Sequence, residues 1–283
     1  ISQIKGLHET YKPILPLSKE EETYLAKAYT SIYYNSSPEE VAFNLIKKTS
    51  LMENSDYANF MMSSAMFECK QYNQALIYIN KAISKNENNS RYKVFKAKIL
   101  CEMQKYKEAV KYIEQNEQSI SVFLKVDFLV LKQKALAELS SNDNDKKFYM
   151  AYSTFIKGDY YQTLYETKNI LNFTKNNYKT MTLKGMTHLA LGDVKNAENE
   201  FLASYKINKK FPNTIMGLGD IQFRAKNYAE AYRYYKKLFK SELKNEAILK
   251  GYIALEKMGS EPKKLAKLYR FLQFYDIMFY GRM

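Results

Sequence analysis

A chain of 283 residues with 46% apolar and 26% charged side chains has the composition of a folded protein, and its nine Gly and five Pro are too few for the turns of an all-β or α/β fold. The formal net charge of +14 rests on 44 basic side chains, only five of them Arg, so it speaks weakly for nucleic acid. Two separated cysteines, Cys69 and Cys101, make no C-x-x-C zinc or redox motif, and no run of about 20 apolar residues is present to span a bilayer.

Residues 1–17, with Pro13 and Pro16, read as an extended lead-in. A first repeat around Tyr24–Leu51 is degenerate, with Pro38 placed for a first helical turn. Tyr72-x-x-Ala75 and Tyr106-x-x-Ala109 then open amphipathic helices 34 residues apart. These elements make an N-terminal block over 18–117. The span Ile120–Leu139 reads as one extra helix, or a repeat that lost its second helix, followed by a loop. Together these form an irregular segment over 118–145. Beyond it Tyr160-x-x-Thr163, Val194-x-x-Ala197 and Tyr228-x-x-Ala231 restore the 34-residue step in a second block over 146–262. A degenerate last repeat around Glu246–Leu272 runs into a capping helix over 263–283, where Leu265, Leu268, Tyr269, Leu272, Tyr275 and Phe279 recur at helical spacing. Within each unit a short turn joins two helices. Gly158-Asp159 and Gly192-Asp193 fill it twice, and Lys70-Gln71, Gln104-Lys105 and Lys226-Asn227 fill it three times.

This pattern resembles the tetratricopeptide repeat, whose signature places small residues at positions 8, 20 and 27 and aromatics at 17 and 24. The unit starting at Asp56 holds Ser63, Tyr72, Ala75, Ile79 and Ala82 there. The unit at Tyr178 holds Gly185, Val194, Ala197, Phe201 and Ser204, and the unit at Pro212 holds Gly219, Tyr228, Ala231, Tyr235 and Leu238. The resemblance implies an all-α solenoid of antiparallel helix hairpins, with small residues where helices touch and aromatics between hairpins. It also implies that first-helix positions 2, 5, 9, 12 and 13 line a concave, ligand-binding face. Carried over, these positions make that groove apolar and aromatic. Tyr57, Phe60, Phe67, Phe148, Tyr152, Phe155, Met186, Met216, Phe223 and Arg224 are its candidate partner-binding residues. Phe60 and Ser64 stand where the family's carboxylate clamp for chaperone tails has Lys and Asn, so a co-chaperone of that type is not expected.

No catalytic set assembles from the sequence. His8 and His188 are the only histidines, and His188 falls at a packing position. Gly217-Leu218-Gly219-Asp220 lies inside a first helix and is too short to cradle a phosphate. The acids Glu20 to Glu22, Glu39 and Glu40 suit helix starts. The expectation is a non-enzymatic scaffold or assembly factor, without cofactor or metal, holding a protein or peptide segment in its groove. Self-filling or a homodimer competes for the same surface. The basic excess supports an alternative, a helical-repeat protein meeting nucleic acid, an acidic partner or a membrane surface, and reflects an AT-rich genome equally well. A repeat domain of a larger signalling or secretion protein is a further reading. The compartment stays open: the cytoplasm is the first reading, and a periplasmic or secreted one follows if a signal peptide preceded Ile1.

Overall fold

The computed structural model describes residues 53–259, together with Lys19, Thr23 and Ala266. The expected lead-in, degenerate first repeat and capping helix lie, single positions aside, outside the described residues. The chain divides into two compact units, Ile1–Ser141 and Asn142–Met283. In the first, α1 (Asp56–Glu68) pairs with α2 (Tyr72–Lys85), and α3 (Ser90–Glu102) with α4 (Tyr106–Asn116). A 3₁₀ turn (Glu117–Ser119) then leads to α5 (Val122–Leu139). In the second, α6 (Asp143–Ile156) pairs with α7 (Tyr160–Phe173), α8 (Tyr178–Ala190) with α9 (Val194–Ile207), and α10 (Pro212–Arg224) with α11 (Tyr228–Lys237). Helix α12 (Lys244–Lys257) follows. Among the described residues the regular elements are these helices, with no strand: an all-α solenoid of hairpins. The extra helix expected over Ile120–Leu139 is α5. It packs on both α3 and α4, as the first helix of a following repeat would.

Each hairpin turn closes the same way. The third residue after the first helix donates its N–H five residues back: Gln71 to Met66 O (2.8 Å), Lys105 to Leu100 O (2.9 Å), Asp159 to Thr154 O (3.3 Å), Asp193 to His188 O (2.9 Å) and Asn227 to Gln222 O (2.9 Å). The residue before it must then take positive φ. Gly158 and Gly192 do so at φ 83° without a Cβ penalty, whereas Lys70, Gln104 and Lys226 do so at φ 59–62°. The left-handed residue is therefore Lys226 rather than the neighbouring Asn227, because the hydrogen-bond register fixes which position must turn. Second helices start on side-chain caps where Asp is available: Asp159 Oδ1 accepts from Gln162 N (3.2 Å), and Asp193 Oδ1 from Asn196 N (3.2 Å).

Small residues set how closely the helices approach. Ser63 donates its hydroxyl to Ala75 O (2.7 Å), so the first and second helices of that hairpin touch through a backbone carbonyl. In the second unit a Cβ added at Gly185 would meet the Phe201 ring at 2.9 Å, and one at Gly217 would meet it at 2.3 Å. Phe201, fully buried, thus sits between glycines of two successive first helices. Gly219 admits Tyr235 in the same way, at 2.5 Å. Around these rings runs a buried hydroxyl cluster. Thr182 and Ser204 both reach Tyr178 O (2.8 and 2.9 Å), and Thr214 closes on Thr182 (2.6 Å) and Ser204 (2.9 Å). Each of these hydroxyls is satisfied, which is what lets them sit in a dry core.

Candidate partner-binding surface

In the first unit the candidate residues fall in one connected set of rings. Tyr57 lies 6.2 Å from Phe60, which stacks on Tyr92 at 5.1 Å and meets Phe95 edge-on at 5.4 Å. Phe95 continues to Phe67 at 5.3 Å, and Phe67 to Tyr72 at 5.4 Å. The buried Asp56 anchors the set, accepting from Tyr92 Oη (3.1 Å) and Asn86 Nδ2 (3.0 Å). Lys98 Nζ lies 4.5 Å from the centre of the Phe67 ring. Tyr92 and Phe95 complete this set although the repeat signature does not point to them. Phe95 is 35 residues after Phe60, one step off the period, which is the signal that would have found it.

In the second unit the rings of α6 form a ladder. Phe148 to Tyr152 (6.0 Å, 25°) and Tyr152 to Phe155 (6.1 Å, 25°) are stacked, and Phe155 meets Tyr160 at 5.5 Å. Met186 packs against the cluster built on Phe201, whereas Met216 belongs to the cluster of Ala231 and Tyr235. Phe223 packs edge-on to Tyr228 at 5.2 Å. Arg224 is exposed, its Nη1 3.5 Å from Leu189 O, which brings the last turns of α8 and α10 together. Phe67, Phe148 and Met216 are buried in their own cores. Tyr57, Phe60, Tyr152, Phe155, Met186 and Phe223 are half-buried and present part of each side chain outward.

Two polar arrangements flank this face. Asp220 accepts from Tyr235 Oη (2.8 Å) and from Lys250 Nζ (2.8 and 2.7 Å), and Lys250 also pairs with Glu246 at 3.0 Å. Burial works against the charge on Lys250, but Asp220 and Glu246 outweigh it and its pKa is raised. Burial, then the Asp220 carboxylate, push the Tyr235 phenol up strongly. His188 Nδ1 lies 3.2 Å from Asp193 Oδ2, and Asp193 is held low chiefly by hydrogen bonds from the Asn196 side chain and backbone. Asp220 thereby ties α10 to α11 and α12, and the His188–Asp193 contact spans the turn between α8 and α9. Among the described residues no three His, Cys, Asp or Glu gather as a metal site, and no helix is long and apolar enough to cross a membrane.

Residues 178–211, which are α8, α9 and their following loop, match the tetratricopeptide repeat family. The chain carries tetratricopeptide repeats. Residues 39–116 match the family described as anaphase-promoting complex, cyclosome, subunit 3. Tetratricopeptide repeat proteins are typically protein-interaction scaffolds and generally not enzymes. The comparison with curated proteins gives no match. Among solved structures, a thermophilic tetratricopeptide protein of Thermus thermophilus is 14% identical. The match covers 71% of this chain and 98% of that one, at a TM-score of 0.32. PilW, a type IV pilus biogenesis factor, is 16% identical over 77% and 92% of the two chains, with a TM-score of 0.40. A yeast Sti1 domain solved in complex with an HSP90 peptide is 14% identical over 83% and 97%, with a TM-score of 0.36. The tetratricopeptide assignment rests on the repeat match and the 34-residue period.

Proposed function

We propose that this tetratricopeptide protein is a non-catalytic scaffold or assembly factor whose first helices hold a helix or extended peptide of a protein partner. The observation that carries the reading is the stacked pair Tyr152 and Phe155, half-buried and continuous with buried Phe148 beneath. Rings fixed by their neighbours lose little freedom on binding and give large apolar area, which suits recognition of a side chain at helical or extended spacing. Tyr57 and Phe60 supply the corresponding rings in the first unit, where Tyr92 and Phe95 hold them in place. Met186, Phe223 and Arg224 extend the set along the second unit. Arg224 there offers a free edge to a carboxylate or carbonyl of the partner.

The experiment is photo-crosslinking from a probe placed at Ala190, exposed at position 13 of α8, in the native organism, with mass spectrometry of the adduct and the double variant Tyr152→Ala, Phe155→Ala as control. Phe148 is left intact because it is core. One defined partner protein should crosslink to the parent and fall at least about tenfold in the variant, which removes two ring contacts worth about 1 kcal/mol each. Equal crosslinking by both, with the helical signal unchanged, rules the reading out.

A further inference from the structure

The basic excess is not spread along the chain. Residues 1–141 hold 19 Lys and Arg against 16 Asp and Glu, whereas residues 142–283 hold 25 against 14. Between Lys206 and Lys244 the balance is ten against three. Two of those three carboxylates are already engaged, Asp220 with Lys250 and Glu230 with Arg233, which leaves Glu242. A biased codon usage raises lysine everywhere, but it does not empty one region of acid.

The fold collects seven of these ten basic residues on one edge of the second unit, where α7, α9 and α11 end. Tyr178, just past the loop that follows α7, meets Phe211 of the loop that follows α9 at 5.1 Å. Lys237, in the last turn of α11, lies 3.4 Å from Tyr205 Oη in the last turn of α9. The three helix ends are therefore neighbours. The first carries exposed Lys175, the second Lys206, Lys209 and Lys210, and the third Lys236, Lys237, Lys240 and Lys244. Two large apolar side chains project from the same edge: Phe173, 82% exposed, and Ile207, 44% exposed. They are 34 residues apart and so occupy the same place in successive repeats.

We propose that this edge docks on an anionic lipid bilayer, with Phe173 and Ile207 entering the headgroup region and the lysines around them holding acidic phosphates. Apolar anchors set among lysines are the arrangement that binds an interface, where burial and charge add. Nucleic acid fits less well. Arg233, the arginine of α11, is paired with Glu230 at 3.0 Å. The rings of Tyr205 and Tyr234 have Lys237 Nζ over them at 5.6 and 4.8 Å, so one face of each is taken rather than offered to bases. None of these residues belongs to the ring face described above, so the two readings fail separately.

The test is flotation of the full chain with phosphatidylglycerol–phosphatidylcholine vesicles and with phosphatidylcholine alone, at about 0.1 M and about 1 M salt. Binding should require the acidic lipid and weaken with salt. The variant Lys206→Gln, Lys209→Gln, Lys210→Gln, Lys240→Gln should lower partitioning by about several hundredfold, since each lysine near such a surface is worth about fivefold. The variant Phe173→Ser, Ile207→Ser should lower it about tenfold at both salt concentrations. Both variants replace exposed side chains, and an unchanged helical signal and unfolding midpoint confirm that they fold. No flotation with acidic vesicles, equal flotation with neutral ones, or an anchor variant that floats like the parent overturns the proposal. Binding of labelled RNA that the lysine variant abolishes and the anchor variant leaves intact assigns the edge to nucleic acid and overturns it as well.

Discussion

The two units build the same hairpin from opposite choices of size. In the first unit, position 8 holds Ser63 or Ala97 and position 24 holds Ile79 or Ile113. In the second, the α6–α7 hairpin holds Ala151 and Thr167, whereas in the next two Gly185 and Gly219 stand opposite Phe201 and Tyr235. What the first helix gives up in volume the second helix takes back, and the side chains at position 24 are buried throughout. In every hairpin but that of α6 and α7 the space between the helices is thus conserved as a sum, not residue by residue, as expected where cores tolerate volume-conserving exchange and little else. The comparison extends to the turns, glycine at two in the second unit and Lys70 and Gln104 in the first.

Adding a methyl group is the hardest way to break that exchange. Gly217→Ala should destabilise the second unit by about 2 kcal/mol, because its Cβ would stand 2.3 Å from a ring with nowhere to go, and the gain in helix propensity offsets only part of this. Denaturant unfolding measures the loss. Phe201→Leu in the same chain should recover much of it, and a coupling near zero between the two substitutions would show that the ring and the glycine are independent.

A next, smaller effect separates the polar cross-link of the second unit from the packing. The raised pKa of Lys250 and of Tyr235 means that the folded state holds both protons more tightly than the unfolded chain does. Their contribution is complete below the ordinary values of 10.0 for Tyr and 10.5 for Lys and is lost as pH rises through the folded pKa of each. Asp220→Asn should cost about 1–2 kcal/mol at neutral pH, the pair being partly exposed, and should flatten the alkaline fall of the unfolding midpoint. A parent-like alkaline limb in that variant would remove Asp220 from the cause.

The turns give the smallest and most even-handed comparison. Gln104→Gly relieves a left-handed Gln and should stabilise by about 1 kcal/mol, less the entropy glycine adds to the unfolded chain. Gly192→Ala should destabilise by about the same amount, although nothing lies within 4 Å of its added Cβ, because the cost is conformational. Equal midpoints for parent and both variants in thermal unfolding would put the strain elsewhere.

The period, the hairpins and the irregular α5 were legible because they depend on residues close in sequence: Tyr72 with Ala75, Tyr106 with Ala109, and the 54-residue step from Ala109 to Thr163. The glycines of α10 were legible as packing residues for the same reason. The surface was less legible. Spacing places Phe67, Phe148 and Met216 on a first-helix face, but whether a neighbouring helix covers them depends on contacts the period does not specify, and it buries all three. Tyr92 and Phe95 join the rings of the first unit through Asp56 and Phe60, a long-range arrangement that no single helix reveals. The lysine edge escaped because its members come from separate helix ends, and charge read along the chain does not show which of them share one side.

Phe201 also bears on how such a chain can change over generations. Its ring is clasped by Gly185 of its own repeat and Gly217 of the next, so the natural seam between repeats is not the 34-residue boundary at Phe211 and Pro212. Excising residues 178–211 in frame would keep the spacing intact and still bring Gly217 opposite the repeat that carries Thr167 in place of a ring. Duplication or loss of a repeat here is therefore inherited safely only when the cut carries the phenyl group and both of its small neighbours as a set.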